Sequence, residues 1–164
     1  VGPRIEAFDA SGTLRYALRA RSAAHYPAGA RHAGHEATTF REPRVTLRDG
    51  EGHVWTLVSE AGETLPGTDP ETGAPRAEGL IALRGGVVAV RSGPGAAFTR
   101  IQGERMVLDP ARRTVRSDAP VIIDTASGRS TAARLEGVLD AGLLELGSAD
   151  GQRVHTIVLP GTVL

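Results

Sequence analysis

Residues 12–26, GTLRYALRARSAAHY, alternate between two chemistries. Leu14, Tyr16, Leu18, Ala20, Ala24 and Tyr26 fall on one parity, and Thr13, Arg15, Arg19, Arg21 and His25 on the other. Side chains of an extended chain point to opposite faces in turn, so the pattern predicts a long, half-buried β-strand with one apolar and one wet face. A domain built from such ribbons has an apolar interior that is either packed solid or left open for a ligand.

Outward from this segment the same grammar recurs. Twenty-one glycines and ten prolines are spread through 164 residues, and no stretch sustains the 3.6-residue spacing of an amphipathic helix. Extended segments are expected at 5–8, 13–26, 38–48, 54–63, 78–84, 87–91, 98–108, 114–117, 121–125, 130–138, 143–146 and 154–159. Asp, Ser and Gly at 9–12, 48–52, 109–113, 127–128 and 149–151 supply turn chemistry between them, so neighbouring strands pair antiparallel. Residues 27–36 and 65–77 resist this pattern and are expected as surface loops; the second carries Pro66, Pro70 and Pro75 and is long enough to be expected disordered. The β-pattern resumes on both sides of each, so 1–164 is expected to be one all-β domain. Strand counting alone leaves a sandwich, a closed barrel and an elongated stack of hairpins open.

Composition narrows the function. Nineteen basic and nineteen acidic residues cancel, which argues against an electrostatic grip on nucleic acid or on an anionic membrane surface. Cysteine is absent, so no disulfide framework or thiolate metal site is available. With one tryptophan, two tyrosines and three phenylalanines, the interior must be lined by aliphatic side chains. No apolar run approaches the 18 residues of a membrane-spanning helix. Every basic residue is arginine, which genomic base composition explains and which also suits planar carboxylates and phosphates.

Catalytic apparatus is not visible. His32 and His35 beside Glu36 have metal-like spacing but lie in an Ala/Gly-rich loop without a scaffold, and His25, His53 and His155 are scattered. No Gly-x-Ser-x-Gly elbow occurs, and nothing around Asp118 or Asp124 suggests the raised pKa of a general acid. Gly93-Pro94-Gly95 lacks the lysine and helix of a phosphate loop and reads as a turn. Arg15, Arg19 and Arg21 read as a solvated strand face, with anionic head groups as the alternative, and Pro43 marks a strand edge or bulge.

A succession of motifs resembles the LptC family of the lipopolysaccharide export machinery. Gly12-x3-Tyr16-x-Leu18-x-Ala20 followed by Tyr26-Pro27 is similar to the family's first long strand, and Pro43 with Gly52-x2-Trp55-x-Leu57-x4-Gly62 to its second and third. Ile81-x-Leu83-x-Gly85-x-Val87 is similar to a strand signature shared with the related bridge protein LptA. Thr114-x-Arg116-Ser117-Asp118-Ala119-Pro120-Val121 resembles the later strand pair, and the correspondence spans about 5–145. Residues 66–75 look like an insertion.

The resemblance implies a twisted antiparallel β-jelly-roll, open-ended, with an apolar trough in which lipopolysaccharide acyl chains lie. The expected trough lining is Tyr16, Leu18, Val45, Leu47, Trp55, Leu57, Ile81, Leu83, Ile101 and Ile122. The expected pairing edges toward other proteins are Ile5 and Phe8 on the first strand and His155, Ile157 and Leu159 on the last. It further implies an inner-membrane transporter (LptB, LptF, LptG) as lipid donor, periplasmic LptA as acceptor, a homodimer as a further association, and no cofactor or metal. A periplasmic domain anchored to the inner membrane by one helix ahead of Val1 is expected. Beside this stand an LptA-like soluble bridge, a structural β-sandwich module with a filled core, and a hydrolase dependent on Asp118 or Asp124.

Overall fold

The computed structural model describes residues 2–28, 35–49, 51–69, 71–148 and 154–158. The elements in chain order are β1 (Arg4–Phe8), β2 (Leu14–Arg19), β3 (Ser22–Tyr26), β4 (Ala37–Arg41), β5 (Arg44–Arg48), β6 (Val54–Val58), β7 (Ala61–Thr68), β8 (Pro75–Ser92), β9 (Thr99–Asp109), β10 (Thr114–Ser117), β11 (Val121–Thr125), β12 (Gly128–Ala132), β13 (Arg134–Val138), β14 (Leu143–Gly147) and β15 (Val154–Val158). All pairings are antiparallel and the strand path does not close into a barrel. This is the all-β jelly-roll class expected from the period-two pattern.

The pairings resolve the sheet into two layers that share β8 and β9. The first runs β1-β2-β5-β6-β8-β9-β11-β12, using residues 88–92 of β8 and 99–103 of β9. The second runs β3-β4-β7-β8-β9-β10-β13-β14-β15, using the first half of β8 and the last third of β9. Successive strands are therefore halves of long ribbons that bend from one layer into the other, a known way of forming the corners of a sandwich. The bends fall at Ala20–Arg21, Glu42–Pro43, Ser59–Glu60, Gly85–Gly86 and 118–120. In β8 the register shifts across Gly85 and Gly86, both at positive φ, and a Cβ on Gly85 would lie 2.9 Å from the Cβ of Glu60. Only glycine meets both demands there.

Turns at the far ends of the ribbons share one device. Asp9, Asp49, Asp69 and Asp109 each turn Oδ1 back to accept two backbone N–H groups within the next four residues, at 2.8–3.2 Å. An aspartate leading a turn thus satisfies donors that the ladder leaves unpaired.

Several expectations need correcting. The expected strand 13–26 is two strands, broken where the chain changes layer, and 38–48 divides likewise at Glu42–Pro43. The expected loop at 65–77 is mostly the β7–β8 hairpin, with β7 running to Thr68 and β8 opening at Pro75. Pro66 is tolerated because β7 has left β4 by that point and shifts register between Leu65 and Gly67, and Pro75 opens β8. Of the other expected loop, 29–34 lie outside the described residues.

Candidate functional site

The inner face of the first layer is organised in rows of paired residues. One row reads Ile5, Leu18, Val45, Leu57, Ala89, Ile101 and Ile123 across β1, β2, β5, β6, β8, β9 and β11. The next row, farther from the bend, reads Tyr16, Leu47, Trp55, Arg91 and Thr99. From the second layer Ile81, Leu83, Met106, Leu108, Val115 and Leu144 join them in one contiguous cluster. The alternation that defines these strands thus builds one shared apolar interior.

Nine of the ten residues expected to line a trough border this interior: Leu18, Val45, Leu47, Trp55, Leu57, Ile81, Leu83 and Ile101 are buried, and Tyr16 is half-buried against them. Ile122 is the correction. It points outward with 39% exposure, while Ile123 is fully buried. The run Val121-Ile122-Ile123 is apolar on both parities, so only the pairing of Ile123 with Ile101 decides the face.

These side chains bury one another: Trp55, Val45 and Ile101 are 0% exposed. A cavity of about 110 Å³ at the rim touches Tyr16 and Leu47 but is otherwise lined by Leu14, Arg15, Thr46, Arg48 and Val54. Apolar walls with nothing between them close until their own side chains replace water, which parity cannot reveal.

The outer row ends in charge. Arg91, almost fully buried, donates from Nε to Asp49 Oδ2 at 2.9 Å and from Nη2 to Glu51 Oε2 at 2.7 Å. Its Nη2 also lies 2.8 Å from Nδ1 of buried His53, and since a guanidinium only donates, His53 accepts there and carries its ring proton on Nε2. Asp49, Glu51 and His53 bring ligand-type atoms within 4.8 Å of one another, but the Arg91 guanidinium contacts all three. The cluster is a satisfied ion-pair network that caps the interior at the β5–β6 hairpin. Sequence reasoning missed it because Val87 to Arg91 is apolar on both parities up to the arginine.

On the far rim, one contact joins the layers. β2 carries a bulge opposite Ala7 and Phe8, and Arg15 is its extra residue. A bulge re-aims its side chain. Arg15 donates from Nη1 to Glu78 Oε1 at 2.9 Å and from Nη2 to the Ala111 carbonyl at 3.1 Å, tying β2 of the first layer to β8 and the β9–β10 turn of the second. The wet-face assignment of Arg15 is corrected accordingly. Neighbouring Tyr16 has its phenol pKa pushed up, first by burial and then by the Glu78 charge, against a smaller opposing effect of Arg15.

Four of the described strands end the two layers: β1 and β12 the first, β3 and β15 the second. Among the described residues β1 pairs with β2 alone and β15 with β14 alone, so each ends the strand path. Ile5, Phe8 and Leu14 remain exposed at the first edge. His155 and Ile157 lie on β15, paired with Leu146 and Leu144, and Leu159 lies outside the described residues. Of the histidines with metal-like spacing, His32 also lies outside them, and Glu36 faces His25 at 3.4 Å. The Asp124 carboxyl is held below its usual range by hydrogen bonds from Arg129, opposite to what a general acid needs. No helix among the described residues is long and apolar enough to cross a membrane.

A family model described as "Lipopolysaccharide-assembly, LptC-related" matches residues 3–152. No curated protein matches the chain.

Proposed function

This chain belongs to the LptC-related lipopolysaccharide-assembly family, and from that premise we propose that its two layers part to hold lipopolysaccharide acyl chains against their shared inner faces. The family's role lies in lipopolysaccharide transport, a carrier's task and not an established enzyme's. The observation that carries the finer reading is the aliphatic row of Leu18, Val45, Leu57, Ala89, Ile101 and Ile123, continuous across the first layer and faced by Ile81, Leu83 and Leu108. Burying an acyl chain is worth about 0.8 kcal/mol per CH₂, enough to compensate for walls that give up their mutual contact.

In this reading the domain sits in the periplasm, held to the inner membrane by a helix ahead of Val1. It takes lipid from the LptB–LptF–LptG transporter and passes it to LptA. Strand pairing at the β1 and β15 edges lines the interiors up, since an unpaired edge is a template for a partner's strand. Ile122 is withdrawn from the contact set, and the remaining nine positions are retained.

A photo-crosslinking amino acid at Leu57, Ile101 or Leu83 in the full-length protein in membranes should capture lipopolysaccharide, whereas one at outward-facing Ile122 should not. Equal capture at all four, or none at the three inner positions while LptA yields adducts, would remove the reading. The closed packing of the interior favours one alternative, a sandwich that serves only as an interaction module. That alternative predicts partner binding with no lipid adduct at any inner position.

A further inference from the structure

Of the buried side-chain polar atoms described, two lack a hydrogen-bond partner: Trp55 Nε1 and Arg76 Nε. Arg76 still donates through Nη2 to Asp109 at 2.8 Å. Trp55 has no other polar atom, so this fully buried side chain is wholly unsatisfied. Such a donor is expensive in a dry core, and a phenylalanine would fill most of the same space without the polar group.

Its place suggests what would satisfy it. Trp55 lies on the row of Tyr16, Leu47, Arg91 and Thr99, immediately outside the wholly aliphatic row of Leu18, Val45, Leu57, Ala89 and Ile101. The interior therefore changes from hydrocarbon to hydrogen-bonding chemistry over two residues, about 7 Å along the strands. An acylated lipid has the same step, from methylenes to the ester or amide carbonyl that links them to the head group. With tails along the inner row, that carbonyl falls at the outer one. Arg91 already donates to Asp49 and Glu51 and meets His53, which leaves the Trp55 indole as the buried donor there without an acceptor.

We propose that the indole N–H of Trp55 donates to the linkage carbonyl of a bound acyl chain, making Trp55 the residue that distinguishes ester- and amide-linked lipids from ether-linked ones. This rests on the lipid-binding reading above and adds a substrate class to it.

Because Trp55 is the sole tryptophan, its indole ¹⁵N–¹H signal is unambiguous. The test is a titration of the protein with a glucosamine phosphate lipid carrying ester- and amide-linked chains, and with an all-ether analogue of equal chain length. The indole proton should move downfield with the first and much less with the second. Trp55→Phe should weaken the carbonyl lipid about tenfold, the equivalent of one hydrogen bond, and the ether lipid less than about twofold. An indole signal that stays in place while backbone amides of β6 report both lipids overturns the proposal and leaves lipid binding standing, as does an equal loss for both lipids in Trp55→Phe. If neither lipid moves any signal, lipid binding itself fails, and the proposal with it.

Discussion

If the layers must part to admit an acyl chain, the bridge from Arg15 resists that motion, and Arg15→Ala should speed lipid entry. The side chains of Arg15 and Glu78 are 26% and 29% exposed, so their ion pair is a partly screened one. It is worth about 1 kcal/mol, and the hydrogen bond to the Ala111 carbonyl adds a further contribution of about 1 kcal/mol. Losing both shifts the balance from closed to open by about 2 kcal/mol, roughly 30-fold. Entry can be followed by stopped flow through quenching of Trp55 by a lipid with brominated chains, since no other tryptophan contributes. The loading rate should rise by up to that factor. Glu78→Gln keeps the carbonyl bond and should give a rise of about fivefold. Arg129→Ala removes the exposed pair with Asp124, and should leave the rate unchanged. A native loading rate in Arg15→Ala, with lipid still reaching Trp55, would show that the layers do not separate at this rim.

Gly85→Ala should destabilise the fold by about 1–3 kcal/mol in urea unfolding, because φ of +78° and the approach of Glu60 both penalise a methyl group. Ile123→Ala should cost about 2–5 kcal/mol and Ile122→Ala less than about 1 kcal/mol, and reversal of that order would contradict the assigned face of β11. Tyr16 has a folded pKa above the ordinary 10.0, so the folded state holds its proton more tightly than the unfolded chain. The stability this brings is complete below pH 10 and is lost as pH rises through the folded value. Denaturation curves should show that alkaline loss, and Tyr16→Phe should lack it.

The alternation at 14–20 was enough to indicate an all-β fold and to assign Leu18 inward, because a period of two has one structural meaning when one face is buried. What it could not carry was anything set by a third dimension. The change of layer at Ala20–Arg21 leaves no local mark, since either half is an ordinary strand, whereas Gly85–Gly86, Pro43 and Pro120 each put a turn-forming residue at a bend. The faces of Ile122 and Val88 depend on which neighbour pairs with them, and segments apolar on both parities leave that open. Arg15 reads as wet-face until the bulge re-aims it, and a bulge is a property of two strands. The Arg91 cluster joins residues about 40 apart in sequence, beyond any local spacing rule.

A filled interior and a transport role are compatible once the reference state is considered. An empty groove with both walls wet would expose the aliphatic rows of two layers at once, at about 25 cal/mol per Å². Closing on its own side chains removes that cost when no lipid is bound. Lipid then competes with wall-to-wall contact instead of with water, so the net affinity is the difference between two similar packings and is far below the transfer energy of the chains. Under the proposed reading a station in a relay must release its cargo to the next one, and a self-closing interior would provide the release, each increment of lipid withdrawn being replaced by contact between Leu57, Ile101, Leu83 and their neighbours. In that reading the motion turns on the corners, of which Glu42–Pro43 and Gly85–Gly86 are two, where the β6–β8 ladder of one layer passes into the β7–β8 ladder of the other.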